Sequence, residues 1–212
     1  MKFKTEQESF WAGEFGTDYI DRNIGEALLA ANLNFFTRAL VRAGRVESVI
    51  EFGANVGMNL RALKLLYPNA HQAAIEINAD AARRLSEALP DCTVTVGSIL
   101  GSTDLGSHDL ALIKGVLIHI NPDALPEVYD ALAAAGSRHV MIAEYYNPTP
   151  VSIPYRGHKD RLFKRDFAGE FLHRHPNFEL IDYGFSYHRD PAFPQDDITW
   201  FLLGRHGADK EA

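Results

Sequence analysis

Short apolar runs alternate with helix-forming segments between residues 46 and 145, and this alternation limits the possible folds more than any other feature. Five runs are apolar in the way that strands buried on both faces are: 47–52, 72–77, 93–97, 108–115 and 139–145. Three segments between them have the apolar spacing of helices: 58–66, 78–89 and 123–135. Strands that alternate with helices of this length form parallel sheets with helices on both faces. The sequence therefore predicts a doubly wound α/β fold.

The segments on either side of this core have other patterns. Residues 25–43 carry a helical stripe of apolar side chains, whereas the aromatic residues at 8–23 keep no helical period, so we expect an irregular cap there. After residue 146, a loop rich in Pro and Tyr precedes a helix at about 166–174. Two β-prone runs follow, at 178–183 and 198–203.

Size, charge and cysteine content exclude several classes of protein. A chain of 212 residues with 46% apolar residues suits one α/β domain with a full core. The net charge of −7 offers no broad surface for phosphates, so we expect no nucleic-acid partner. No apolar run is long enough for a membrane span, and the N-terminus does not resemble a signal peptide. The lone Cys92 is typical of a reducing compartment, so we expect a cytoplasmic protein. The oligomeric state stays open.

A glycine turn follows the first strand. Glu51 lies at the carboxyl end of this strand, and Gly53, Asn55 and Gly57 come next, before residues that open a helix. Ligands of open α/β sheets bind at the carboxyl ends of the strands, and Gly53 would let the backbone approach such a ligand closely. Gly57 would let the next helix pack closely. The sequence contains no G-x-G-x-x-G, which argues against a dinucleotide-binding fingerprint.

A second acidic residue follows the next strand. Glu76 lies about 20 residues after the glycine turn, where nucleoside-binding α/β folds place a carboxylate on the ribose hydroxyls. A carboxylate suits this role because it only accepts hydrogen bonds and can take two donors. The alternative is a solvated charge at the end of a strand.

The glycine turn resembles motif I of the class I S-adenosylmethionine-dependent methyltransferases, in which the acidic residue and the glycines hold the methionine part of the cofactor. The resemblance implies S-adenosylmethionine as cofactor and a Rossmann-like fold with an N-terminal helical cap. In that fold a terminal hairpin, with one antiparallel strand, completes a mostly parallel seven-stranded sheet. The sequence has no internal repeat and no Pro/Gly/Ser linker that would separate two domains, so we expect one domain over 1–212. We divide it into a cap and helix (1–45), a cofactor-binding half (46–145) and a substrate-side part (146–212).

A narrower resemblance rests on five segments taken together, which look like the pseudaminic acid biosynthesis-associated methylase family. This likeness implies a sugar-related acceptor. The segments are 10–23, 51–55, 115–122, 144–148 and 163–167.

Further cofactor contacts are predicted from the same resemblance. Ser98 ends the third strand, where methyltransferases usually carry an acidic or amide residue facing the adenine amino group, so Ser98 departs from the pattern. Arg22 is a candidate for binding the methionine carboxylate of the cofactor, and the alternative is a surface role. The N-terminal aromatic residues would fold over the cofactor. The predicted cofactor-binding residues are Trp11, Tyr19, Arg22, Glu51, Gly53, Asn55, Gly57, Glu76, Ile77, Ser98, Ile99, Lys114 and Gly115.

Methyl transfer from a sulfonium mainly requires alignment of the reacting atoms, but an oxygen or amine nucleophile must also lose a proton. His119 lies just after the fourth strand, in the region of motif IV, and would titrate near neutral pH. A histidine of the core is the alternative for this position. The predicted catalytic or positioning residues are His119, Glu144, Tyr145 and Tyr146.

Polar residues are dense after the fifth strand, on the side where substrates enter. Their cations suit a small polar acceptor, and more narrowly an anionic one, while the alternative is a solvated lid. The predicted substrate-binding residues are Asn147, Tyr155, Arg156, His158, Lys164 and Arg165.

Three other functions compete with this interpretation. The histidines lack an H-E-x-x-H or paired-cysteine pattern, so we expect no metal. Hydride transfer with a nicotinamide cofactor is the enzymatic alternative, weakened by the missing dinucleotide fingerprint. A module that binds the cofactor without chemistry is the alternative from another class, although it would not need the polar residues at 144–166.

Overall fold

The computed structural model describes residues 3–20, 24–101 and 104–208, so the predicted contact of Arg22 lies outside the described residues. The helices are α1 Glu6–Ala12, α2 Glu14–Ile20, α3 Glu26–Ala39, α4 Met58–Leu66, α5 Ala79–Ala88, α6 Leu125–Ala135 and α7 Phe167–Arg174. The strands are β1 Ser48–Phe52, β2 His71–Glu76, β3 Thr93–Val96, β4 His108–Lys114, β5 Gly136–Glu144, β6 Val151–Tyr155, β7 His158–Lys164, β8 Phe178–Ser186 and β9 Ile198–Arg205.

Seven of these strands form one sheet in the order β3-β2-β1-β4-β5-β9-β8. The first five strands in this order, β3, β2, β1, β4 and β5, pair in parallel. Strand β9 runs antiparallel to both of its neighbours, β5 and β8. The predicted doubly wound, mostly parallel seven-stranded sheet is confirmed. The strand order changes direction between β1 and β4, and such a switch point is where open α/β sheets bind ligands.

The core has two layers because successive strand residues point to opposite faces of the sheet. On one face, Ile50 and Ile113 pack with buried residues of α6 and α7. On the other face, Val49 and Leu110 pack with buried residues of α3, α4 and α5. The carboxyl ends of β1 and β4 are thus held between two packed layers.

The N-terminal segment forms the two short helices α1 and α2, which matches the predicted helical cap and contradicts the irregular structure expected from the spacing of its aromatic residues. Thr5 begins α1 with a capping box in which the Glu8 side chain accepts from the Thr5 backbone. The aromatic rings pack on one another across the two helices, as Phe10 does on Phe15 with centroids 4.1 Å apart. The missing helical period therefore reflects two helices with mutual contacts.

The predicted loop after residue 146 is also wrong in part, because β6 and β7 form a hairpin there. Arg156 and Gly157 make its two-residue turn with φ of +49° and +86°. Two left-handed residues match the twist of antiparallel strands, so this turn closes the hairpin directly. Within the described residues, no helix is long and apolar enough to cross a membrane.

Candidate active site

A cavity of about 220 Å³ lies at the carboxyl ends of the parallel strands, at the switch point of the sheet. Helices α1 and α2 contribute Glu8, Trp11 and Tyr19 to its wall. The loops and strand ends after β1 to β4 line it at 53–56, 76–78, 97–99 and 114–116. Residues of α3, α4 and α5 and of the segments 119–120 and 196–198 complete the wall.

The two glycines of the turn allow two different close approaches. Gly53 has φ of +74°, and a Cβ atom there would lie 2.7 Å from Val116 Cγ2. Gly57 has φ of +79°, and a Cβ atom there would lie 2.9 Å from Leu85 Cγ on α5. Gly53 thus brings the loop after β1 against the loop after β4 on the cavity wall. Gly57 is not on this wall and lets α4 start close to α5.

Glu76 is held at the cavity wall by backbone donors. Its Oε2 accepts a hydrogen bond of 2.7 Å from the Asn55 N–H, and its Oε1 accepts one of 2.8 Å from the Asn78 N–H. Burial raises the pKa of Glu76, while these backbone donors lower it. Because each carboxylate oxygen can accept two hydrogen bonds, the group keeps acceptor capacity for a ligand.

Glu51 lies behind the wall rather than on it. The side chain is 1% exposed, and its Oε1 accepts a hydrogen bond of 2.6 Å from Asn59 Nδ2. Burial raises its pKa to about 8, and Asn59 and the nearby Lys114 oppose this rise. Lys114 itself lines the cavity, with its ammonium 5.3 Å from the centroid of the Phe35 ring, and burial lowers its pKa.

Glu51→Gln is expected to remove a pH dependence of stability. Between the ordinary pKa of 4.5 and the folded value of about 8, the folded protein keeps a proton that the unfolded chain has released. The free energy of unfolding therefore falls as pH rises through this window. From pH 5 to pH 8, the free energy of unfolding of the wild-type protein should fall by roughly 2–4 kcal/mol more than that of the variant, as measured by urea unfolding. The exposed Glu87→Gln serves as control, and parallel curves for Glu51→Gln and wild type would contradict the expectation.

His119 has a defined tautomer at the cavity wall. The ring is 8% exposed, and its Nδ1 lies 2.6 Å from the carbonyl oxygen of Arg161 on β7. A carbonyl can only accept, so Nδ1 carries the proton and Nε2 is the acceptor nitrogen of the neutral ring. Burial lowers the pKa of His119 to about 4. The rings of Trp11 and Tyr155 lie against it, with centroids at 4.6 and 5.0 Å.

The other three predicted catalytic residues do not line the cavity. Glu144 is buried, and its Oε1 accepts hydrogen bonds from the N–H groups of Val116 and Leu117 at 2.9 and 2.8 Å. It thereby holds the turn after β4, and burial raises its pKa to about 7. The Tyr145 hydroxyl bonds to Asp196, and burial and this carboxylate raise its pKa. Tyr146 is 42% exposed and packs on Phe201.

The predicted substrate-binding residues lie on the hairpin and its flanks, and Asn147, Tyr155, Arg156, Lys164 and Arg165 do not line the cavity. Arg165 forms an ion pair of 2.7 Å with Glu170. Lys164 lies over the ring of Tyr145 and Arg156 over that of Tyr155, at 5.1 and 5.5 Å from the centroids. Two further members are Asn147, whose side-chain amide donates to the Thr149 carbonyl, and His158, whose backbone is in register with that of Tyr155 next to the hairpin turn.

Eleven residues predicted for the site line this cavity: Trp11, Tyr19, Gly53, Asn55, Glu76, Ile77, Ser98, Ile99, Lys114, Gly115 and His119. The prediction missed other polar residues of the wall: Gln7, Glu8, Asn32, Asn59, Asn78 and Asp196. Two of these had local signals, because Asn78 caps α5 and Glu8 completes a Thr-x-x-Glu capping box. Asn59 follows the glycine turn closely at the start of α4, whereas Gln7, Asn32 and Asp196 lie far from this turn in the sequence.

Two buried polar atoms of wall residues lack a hydrogen-bond partner among the described residues. They are the Trp11 Nε1 donor and the Asn55 Oδ1 acceptor. Unpaired buried polar atoms are costly, so each of these two atoms indicates a position on the wall where a polar ligand would complete the hydrogen bonding. In the described part of the chain, no group of three His, Cys, Asp or Glu residues is arranged to hold a metal ion.

No family model matches the chain, and no curated protein matches it in sequence. The narrower resemblance to the pseudaminic acid-associated family therefore stays a prediction. Solved structures, in contrast, match nearly the whole chain at low identity.

One such structure is the Burkholderia thailandensis 1,6-didemethyltoxoflavin-N1-methyltransferase with bound 1,6-didemethyltoxoflavin and S-adenosylhomocysteine. It has a TM-score of 0.73 and 16% identity, over 97% of this chain and 91% of that chain. The Synechocystis magnesium protoporphyrin IX methyltransferase with bound S-adenosylmethionine has a TM-score of 0.69 and 13% identity, over 97% of this chain and 100% of that chain. The mitomycin 7-O-methyltransferase has the same TM-score and identity, and this chain covers 61% of its length. The protein therefore has the Rossmann-like methyltransferase fold.

Proposed function

We propose that this protein transfers a methyl group from S-adenosylmethionine to a small polar acceptor. The observation that carries the proposal is Glu76, a buried carboxylate fixed by the glycine turn of β1 at the wall of a cavity at the switch point. A carboxylate at this place suits the ribose hydroxyls of a nucleoside. S-adenosylhomocysteine and S-adenosylmethionine are bound in the solved structures with which the chain shares its fold.

The residues of the cavity fit this cofactor. Glu76 would hold the ribose, and the loops at 53–56 and 114–116 would enclose the methionine part. The charged residues of the described wall are the acids Glu8, Glu76 and Asp196 and the single Lys114, an excess of negative charge that suits a cationic sulfonium. When bound, the cofactor supplies an electrophilic methyl group on sulfur.

The protein's own contributions are alignment, exclusion of water and removal of a proton. Helices α1 and α2 cover the cavity with Trp11 and Tyr19, which keeps water out. The Nε2 atom of His119 would accept the proton of the acceptor, because the carbonyl of Arg161 fixes the protonated nitrogen on the other side of the ring. Glu144 would act as a positioning residue through the turn after β4.

The acceptor is proposed as a small molecule with a hydroxyl or amino nucleophile, and the narrower family resemblance favours a sugar-related one. The contacts of Arg165 with Glu170 and of Lys164 with Tyr145 give less support to an anionic acceptor, because these cations already have partners. In this proposal 1–212 work as one domain, with 146–212 on the acceptor side.

Calorimetric titration with S-adenosylmethionine, S-adenosylhomocysteine and NAD tests the proposal. We expect micromolar binding of the two sulfur nucleosides and none of NAD. Binding of NAD alone would contradict methyl transfer and favour the nicotinamide alternative. Transfer of a radiolabelled methyl group to sugars, phenols and amines then separates an enzyme from a module that only binds the cofactor.

A further inference from the structure

The cavity has two ends, and they differ in chemistry. His119 follows β4 and marks the end at which an acceptor would lose its proton. The loop at 97–99 follows β3 and marks the opposite end, with Glu76 on β2 between the two. A nucleoside whose ribose is held by Glu76 and whose reactive group faces His119 must present its base to the 97–99 loop.

The hydroxyl of Ser98 at this end already has its hydrogen bonds. Its Oγ donates to the Oε1 atom of Glu8 and accepts a hydrogen bond of 2.9 Å from the Leu100 N–H. A hydroxyl has one proton, so Ser98 has no second donor to offer. The acidic group that reaches this end of the cavity therefore comes from Glu8, which lies 90 positions earlier in the chain.

Glu8 is held rigidly although it belongs to a short helix. The side chain is 5% exposed and lines the cavity. Its Oε2 atom accepts hydrogen bonds of 2.8 and 2.7 Å from the backbone N–H groups of Lys4 and Thr5. Its Oε1 atom accepts the one from Ser98, and a carboxylate oxygen can accept a second. A buried carboxylate with remaining acceptor capacity selects for a hydrogen-bond donor.

We propose that Glu8 is a specificity-determining residue that reads the 6-position of the purine, an inference that rests on the proposed function. The 6-amino group of adenine is a donor and satisfies the carboxylate. The 6-oxo group of hypoxanthine is an acceptor and would face a second acceptor in a buried place, which is costly. The N-terminal cap is thus part of the base-recognition site as well as a cover.

The test compares S-adenosylhomocysteine with its deaminated analogue, S-inosylhomocysteine, by calorimetric titration. The wild-type protein should bind the adenosyl compound at least about 30-fold more tightly. In Glu8→Gln this preference should fall to about threefold or less, because an amide can donate as well as accept. Gln also completes a capping box, so α1 is retained.

Thr5→Ala is the matched control. It removes the cap of α1 and the hydroxyl that donates to Glu8 Oε2, but it leaves the carboxylate with the two backbone donors of Lys4 and Thr5. It should weaken both nucleosides alike and keep the preference for the adenosyl compound. Two outcomes would overturn this inference alone, provided that the wild-type protein binds S-adenosylhomocysteine tightly. In the first, Glu8→Gln keeps the wild-type preference for the adenosyl compound. In the second, Thr5→Ala loses this preference as much as Glu8→Gln does. Binding of neither nucleoside by the wild-type protein would overturn the proposed cofactor and this inference with it.

Discussion

Replacement of Glu76 by Ala should weaken the binding of S-adenosylhomocysteine by about 100-fold or more. Hydrogen bonds to a charged group contribute roughly 1.5–3 kcal/mol each, and the variant loses those to the ribose. It also leaves the N–H groups of Asn55 and Asn78 without their acceptor, which loosens the glycine turn. Calorimetric titration gives the affinity, and Glu87→Ala on the exposed face of α5 is the control.

A ribose analogue separates a direct contact from a general loosening of the turn. The wild-type protein should bind the 2′-deoxy analogue of S-adenosylhomocysteine about 10-fold more weakly than the parent compound. Glu76→Ala should bind both compounds with equal, low affinity. If Glu76→Ala still binds S-adenosylhomocysteine about 10-fold more tightly than the 2′-deoxy analogue, Glu76 does not contact the ribose hydroxyls.

His119→Asn should lower the turnover number for methyl transfer by about 10²-fold, the low end of what a positioned general base contributes, because a pKa of about 4 makes Nε2 a weak base at neutral pH. The Asn amide can still donate to the Arg161 carbonyl that His119 Nδ1 contacts, so the substitution removes the basic nitrogen and keeps this link to β7. The affinity for S-adenosylhomocysteine should change less than about threefold, because His119 acts on the acceptor. An equal loss of cofactor affinity would instead indicate a packing role.

The protonation of His119 can be measured without an acceptor. With a pKa of about 4, the ring is neutral at pH 7 and gains its second proton, on Nε2, only as pH falls through 4. Nitrogen-15 spectra should therefore show an unprotonated Nε2 and a protonated Nδ1 at pH 7. The rate of methyl transfer should be flat above about pH 5 and fall below it, since protonated Nε2 cannot accept a proton. A titration near pH 6.5 would contradict the buried, hydrogen-bonded ring.

Much of the sheet and part of the site follow from local sequence. The helix at 58–66 matches α4 Met58–Leu66, and the strands at 47–52 and 72–77 match β1 and β2 within one residue at each end. Gly53, Asn55 and Glu76 follow from their position after these strands, because parallel strands bring their carboxyl ends to one edge of the sheet. The β6–β7 hairpin was missed because its turn is Arg-Gly, without the Asn-Gly or Asp-Gly pair that usually signals two left-handed residues.

The sequence by itself determined the doubly wound sheet, the glycine turn and the place of Glu76, since these depend on residue periodicity and on the backbone freedom of glycine over short distances. Only the tertiary structure decided which side chains from distant segments meet there. Glu8 reaches Ser98 across 90 positions, and the carbonyl of Arg161 sets the tautomer of His119 across 42. Such contacts depend on how the cap and the hairpin pack over the sheet, and no local pattern encodes that packing. The polar groups that would recognise the base and accept the proton are therefore properties of the folded chain.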